Sequence, residues 1–287
     1  MKKTRLNNRN NKMRYQGGFM STERFTRACN VYDVITDVVT RGFDSGQIQC
    51  FVKFPGCNLK CNGCEDIPTP EDIDSCRFEG TPGMRDFYYV STPVFHVDLA
   101  KVLANHSGHT SLVSAIRLCG GEPLLYPEFI CNLSKDLPPE CAEVRLVTNG
   151  SLPDALGEAI DAIDTLVINY KMRIVDGVEP YIEDLRKCVS IARDAEKRVE
   201  VNIRVSGEVL ESEVREIAVA IAETDSDIPL CIIPTLSGKT GSKLTADHLK
   251  LMRLAYAANY KLNRVQLKPS FNHYFKDSSP PLNSQNR

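Results

Sequence analysis

The sequence predicts an α/β fold, a partial (β/α)6-type barrel with parallel strands. Short apolar runs recur along the chain, and between them lie longer segments whose apolar residues repeat about every 3.6 positions. The two kinds alternate without a break over most of the length, which implies parallel strands joined by crossover helices. The chain has 287 residues, enough for one large domain of this kind.

Gln47–Phe54 reads as the first strand and Phe95–Asn105 as the first helix. Strand and helix then alternate: Ala115–Cys119, Tyr126–Leu137, Val144–Thr148, Pro153–Ala162, Thr165–Tyr170, Tyr181–Ala195. The series closes with Arg198–Val205, Ser212–Glu223, Pro229–Pro234, Ala246–Asn259 and a short strand at Arg264–Leu267. Six or seven such units suit an open barrel better than a closed eight-stranded one, and either form carries its chemistry at the carboxyl ends of the strands. Residues 1–20 hold six Lys and Arg among many Asn, and read as a disordered basic tail. Residues 277–287 read as a second loose tail, leaving 21–276 as the domain. Within it, residues 68–92, rich in Pro and Gly, look like an insertion after the first strand.

The formal net charge is −2, so no basic surface argues for nucleic acid. No apolar run reaches the roughly 18 residues of a membrane span, and no signal peptide is visible. Eleven cysteines without a secretory context fit a reducing cytoplasm better than a disulfide framework. Cys119, Cys131, Cys188 and Cys231 lie inside apolar runs and read as buried thiols.

Three cysteines are different. Phe54-Pro55-Gly56-Cys57-Asn58-Leu59-Lys60-Cys61-Asn62-Gly63-Cys64 follows the first strand directly. Three thiolates so close together can hold three corners of one iron–sulfur cube, leaving the fourth iron open to a substrate. The competing reading is a structural zinc site, which wants a fourth ligand and more often uses paired CxxC units. Cys50 or Cys76 would have to supply it.

This CxxxCxxC triplet, in this place, resembles the signature of the radical S-adenosylmethionine (SAM) superfamily. Three further stretches match in order: Gly120-Gly121-Glu122-Pro123 after the second strand, Thr148-Asn149-Gly150 after the third, and Lys171 after the fourth. The resemblance runs from about Gln47 to Pro234. It implies a [4Fe-4S] cluster on Cys57, Cys61 and Cys64, reductive cleavage of bound SAM, and hydrogen abstraction by the resulting 5′-deoxyadenosyl radical. It also implies a small electron donor such as flavodoxin or ferredoxin.

By the same resemblance, Gly120, Gly121, Glu122 and Pro123 bind the SAM amine. The paired glycines leave a backbone that a ligand can approach. Thr148 and Asn149 offer a hydroxyl and an amide suited to the ribose or methionine. Lys171 is either a ligand contact or a surface lysine. Arg204, in a strand otherwise built for burial, wants a carboxylate partner; that partner is either SAM or a structural acid. Ile232-Ile233-Pro234 is suited to lining the adenine pocket. His248 and His273 receive no role, and no catalytic residue is assigned beyond the cluster.

Two branches compete for the substrate. The strand before the cluster resembles that of 7-carboxy-7-deazaguanine synthases, which rearrange a pterin, although Gly42-Phe43-Asp44-Ser45-Gly46 stands where a QGEG-like stretch is expected. Gly63 is similar to the activases of glycyl-radical enzymes, although their further motifs are missing and Asn169 replaces an aspartate usual in both branches. The sequence leans slightly toward activation of a glycyl-radical protein or an uncharacterised relative of such activases, with the deazaguanine branch as alternative. A non-enzymatic zinc or iron–sulfur protein is the third reading.

Overall fold

Seven parallel strands follow one another across the sheet in the order in which they occur in the chain. They are β2 (Ile48–Phe54), β5 (Ala115–Gly120), β6 (Glu143–Thr148), β7 (Thr165–Tyr170), β8 (Arg198–Val205), β9 (Leu230–Pro234) and β10 (Val265–Leu267). The computed structural model describes residues 12–15, 18–21, 27–64, 67–108, 112–237 and 243–270. Apart from an antiparallel pair, Lys12–Tyr15 with Gly18–Ser21, the expected tails lie outside the described residues, as does His273.

The six connections carry helices α1 (His96–Gly108), α2 (Pro127–Asp136), α3 (Pro153–Ala159), α5 (Ile182–Asp194), α6 (Glu211–Ala222) and α7 (His248–Asn259), with a single-turn α4 (Arg173–Asp176) after β7. Each crossover steps one strand in the same direction. Right-handed crossovers of that kind place all the helices on one face. Alternate strand residues, among them Leu118, Leu146, Ile168, Val201, Ile203 and Ile232, point to that face and enter one apolar core with Leu103, Phe129, Leu185, Ile217 and Leu254. The residues between them, including Arg117, Arg145, Asn169, Glu200, Asn202 and Arg204, face the opposite side, the lumen of the partial barrel. The first and last strands of the sheet do not pair, so the barrel stays open.

The sheet extends beyond β2 in a way the alternation did not reveal. β1 (Asp33–Val38) runs antiparallel to β2, and the 68–92 segment adds β3 (Ser75–Glu79) and β4 (Phe87–Ser91) outside it. This extension buries polar groups because each has a partner. Asp33 pairs with Lys53 at 2.8 Å and with Arg77 at 2.9 Å. Glu79 accepts from the Thr36 amide at 2.8 Å, and His106 lies 3.1 Å from the Thr36 hydroxyl. Among the described residues, no helix is long and apolar enough to cross a membrane.

Candidate active site

The cysteine loop leaves β2 at Phe54 and turns at once against the end of β5. Gly121 N–H donates to Phe54 O at 2.8 Å, and Glu122 N–H to Gly56 O at 2.9 Å. A side chain on Gly120 would overlap the Phe54 backbone, and one on Gly121 the Gly56 carbonyl. Gly120 also has φ +109, a left-handed conformation that favours glycine. The paired glycines are therefore required by the chain itself, because the backbone of Phe54 and Gly56 packs directly against them.

Glu122 is wholly buried and ties three elements together. Its Oε1 accepts from Leu124 N–H at 3.0 Å and from the Thr148 hydroxyl at 2.8 Å; its Oε2 accepts from Asn149 N–H at 2.8 Å. Burial pushes its pKa up, and these three hydrogen bonds, with the Lys171 charge, oppose the shift. Its carboxylate thus fixes the end of β6 against the end of β5. Asn149 carries the connection to the cysteines: its Nδ2 donates to Asn58 Oδ1 at 2.9 Å and lies 4.0 Å from Cys57 Sγ. The Tyr181 hydroxyl closes the next gap, donating to Asn149 O and accepting from Lys171 N–H, both at 2.9 Å.

On the far side, Arg204 Nη1 donates to Asp176 Oδ1 at 3.1 Å. The acid that Arg204 wants is thus present within the chain, at the end of α4. Arg204 stands beside Ile233 in register. Asp176 O in turn accepts from Asn62 N–H at 2.7 Å, between the second and third cysteines. Asn58, Asn62, Asp176 and Tyr181 were not singled out from sequence; the two asparagines each follow a cysteine, which is the one signal they offered.

Cys57 and Cys61 are half-buried and Cys64 is exposed. Burial pushes the Cys57 and Cys61 thiols up, and neighbouring thiols add to this. Lys171 opposes it at both, favouring the thiolate that a metal needs. Among the described residues, no group of three or more His, Cys, Asp or Glu side chains is drawn together around a single ion. Three thiols carried on one short loop at a strand end are nevertheless the donor chemistry of an iron–sulfur cluster. The candidate fourth ligands are in the core instead. Cys50 and Cys76 are both buried, and burial pushes both thiols up. Cys188 and Cys231 are buried as expected, whereas Cys119 and Cys131 are partly exposed.

Below this end of the lumen lies a charged layer. Arg117 and Arg145 stand side by side in register. Asp44, from the loop between β1 and β2, reaches both, and Arg117 also meets Gln49 Oε1 at 3.1 Å. Arg145 contacts Glu200 at 3.4 Å and pairs with Glu143. Lys268 Nζ donates to Phe43 O at 3.0 Å and holds the loop from the last strand.

No family model matches the chain. The chain is 30% identical over 247 residues to the 7-carboxy-7-deazaguanine synthase of Geobacter sulfurreducens, covering 84% of this chain and 95% of that protein. It is 27% identical over 207 residues to the enzyme of the same name from Methanothermobacter thermautotrophicus, covering 71% and 69%. Among solved structures, it is similar to QueE from Escherichia coli, with a TM-score of 0.47 and 11% identity over 84% of this chain and 93% of that one. Streptococcus suis SuiB, solved with S-adenosylmethionine, gives a TM-score of 0.44 and 15% identity over 76% of this chain and 48% of that one.

Proposed function

The chain belongs to the 7-carboxy-7-deazaguanine synthase family of radical SAM enzymes, and from that membership we propose that it converts a carboxylated pterin into a 7-carboxy-7-deazaguanine. The relatives favour this small-molecule branch over the activation of a glycyl-radical protein, toward which the sequence leaned on Gly63. The family works with a [4Fe-4S] cluster and SAM. Held by Cys57, Cys61 and Cys64, the cluster would supply one-electron reductive cleavage of SAM, and with it the oxidant for hydrogen abstraction from the substrate.

The observation that carries this reading is the stitching of three strand ends to one cysteine loop through Glu122, Asn149 and Asp176. Cys57, Cys61 and Cys64 hold the cluster. Exposed Cys64 marks the edge from which a flavodoxin or ferredoxin delivers the electron. Gly120–Pro123 borders the SAM amine through its backbone, while the buried Glu122 carboxylate holds Thr148 and Asn149 in place for the ribose and methionine. Lys171 and Arg204 are two cations at this end of the lumen; Arg204 keeps most of its guanidinium fork open and takes the SAM carboxylate. The pterin lies deeper in the lumen. Three buried acceptor atoms there, Ser45 Oγ, Glu200 Oε2 and Asn202 Oδ1, have no protein partner, which suits a ligand rich in N–H donors.

The test is direct. Anaerobically reconstituted protein, SAM, a reductant and a carboxylated pterin should yield 5′-deoxyadenosine and a 7-carboxy-7-deazaguanine of the expected mass. 5′-Deoxyadenosine without that product would leave the radical chemistry standing and remove the substrate.

A further inference from the structure

The short turn after β7 links two parts of the site that are far apart in sequence. Asp176 is fully buried at the end of α4. Its Oδ2 accepts from Met172 N–H at 2.8 Å, and its Oδ1 from Arg204 Nη1 at 3.1 Å. Its carbonyl accepts from Asn62 N–H at 2.7 Å. The next residue, Gly177, has φ +70, and a side chain there would overlap the Asn62 amide. One residue therefore meets the end of β7, the end of β8 and the middle of the cysteine loop.

The backbone contacts do not need a charge. An asparagine would accept from Met172 N–H equally well and would leave the carbonyl bond to Asn62 untouched. The charge of the carboxylate matches Arg204, whose side chain is one-third exposed with one nitrogen committed. Such a single charged contact fixes the direction of a guanidinium while leaving the rest of its fork free.

We propose that Asp176 is a positioning residue that aims Arg204 at the SAM carboxylate and holds that anchor in a fixed relation to the cysteine loop. The proposal rests on the reading of Arg204 as the carboxylate anchor. If it holds, part of the SAM geometry is set before SAM arrives, because anchor and loop share one buried support.

The test uses the reconstituted full chain and three variants: Asp176→Asn, Arg204→Gln and the double variant. Iron and sulfide content is measured first. SAM is then titrated while the electron paramagnetic resonance signal of the reduced cluster is followed. Asp176→Asn should keep its iron and sulfide and lose roughly ten-fold in SAM affinity, the scale of one charge-assisted contact. Arg204→Gln should lose at least as much. The double variant should be no weaker than Arg204→Gln alone, because the acid acts only through the arginine. Unchanged affinity in Asp176→Asn beside a fall in Arg204→Gln overturns the positioning role and leaves the anchor standing. Unchanged affinity in Arg204→Gln removes the anchor itself. Loss of iron or of fold in Asp176→Asn also overturns the proposal, since the carboxylate would then be part of the scaffold.

Discussion

The two ends of the lumen use polar residues in opposite ways. At the amino ends of the strands, Arg117, Arg145, Asp44 and Glu200 neutralise one another and leave little charge to spare. At the carboxyl ends, Glu122, Asn149, Asp176 and Tyr181 bond mainly to backbone, while Lys171 and Arg204 stay partly open, Cys57 and Cys61 are half-buried and Cys64 is exposed. The first arrangement seals and stabilises. The second positions groups whose partner is not the protein. This is the division expected of a parallel barrel, in which stability gathers at one face and chemistry at the other.

The sharpest break between the two ends should come from the cysteines. Cys61→Ala should abolish iron and sulfide binding and SAM cleavage outright, because each thiolate holds one corner of the cluster. The apoprotein should still fold, since Cys61 lies outside the apolar core. Cys188→Ala, within that core, should instead retain the cluster. Iron and sulfide analysis with circular dichroism separates the two, and a full cluster in Cys61→Ala would sink the assignment.

Asp44→Ala should do the reverse. It leaves Arg117 and Arg145 adjacent and deprived of their shared acid, and breaking a buried pair in this way costs about 3–5 kcal/mol. A chain of this size should lose roughly 2–4 °C of melting temperature for each of those kcal/mol. What survives should bind SAM with nearly normal affinity, as the damage is at the sealed end. A SAM affinity that collapses while the melting temperature holds would place Asp44 in the binding site instead.

Glu122→Ala probes a residue that belongs to both descriptions. It strands two amides and a hydroxyl in a buried place, at about 1–3 kcal/mol for each unsatisfied group. Stability should fall, and cluster content and SAM affinity should fall with it, because Asn149 no longer stands against the cysteine loop. Normal stability with weak SAM binding would mean that the carboxylate faces SAM rather than its three protein donors.

How much of this was legible in the sequence follows from the kind of signal each part gives. The parallel strands showed themselves because each is a short apolar run between periodic helices: Thr165–Tyr170 and Arg198–Val205 match the observed strands residue for residue. The strand Asp33–Val38 did not, since two of its buried positions are Asp33 and Thr36, whose burial depends on partners 20 to 70 residues away. The cysteine triplet was legible because its ligands are local. Asp176 was not: a four-residue helix has no period, and the meaning of an aspartate is set by an arginine 28 residues later. The paired glycines were visible but their packing role was not, since the backbone that crowds them belongs to a strand end more than 60 residues earlier.

Tyr181→Phe should give a smaller effect of the same kind as Glu122→Ala. It removes one hydroxyl that bridges Asn149 O and Lys171 N–H. The expected cost is about 1–2 kcal/mol, with the ring contact to Tyr170 preserved. SAM affinity should drop only a few-fold. A change in SAM affinity far larger than the change in stability would make the Tyr181 hydroxyl a direct contact.

The smallest effect lies at the sealed end, in the dependence of stability on pH. Burial, with the Asp44 charge beside it, pushes the pKa of Glu200 up, although Arg145 and Arg117 oppose the shift. The folded chain then holds this proton to a higher pH than the unfolded chain does. Over the interval between the two pKa values the folded state binds more protons, so stability from this group declines as pH rises through its folded pKa. Glu200→Gln removes the titration and should flatten that part of the curve, measured by denaturant unfolding across the acid range. The cost of keeping Glu200 is then visible as a slope, and it marks the limit of the seal: one of its oxygens has no protein partner. If the slope flattens in the free protein but not with the pterin bound, the ligand's N–H groups supply that partner, and the sealed end also serves as the floor of the substrate site.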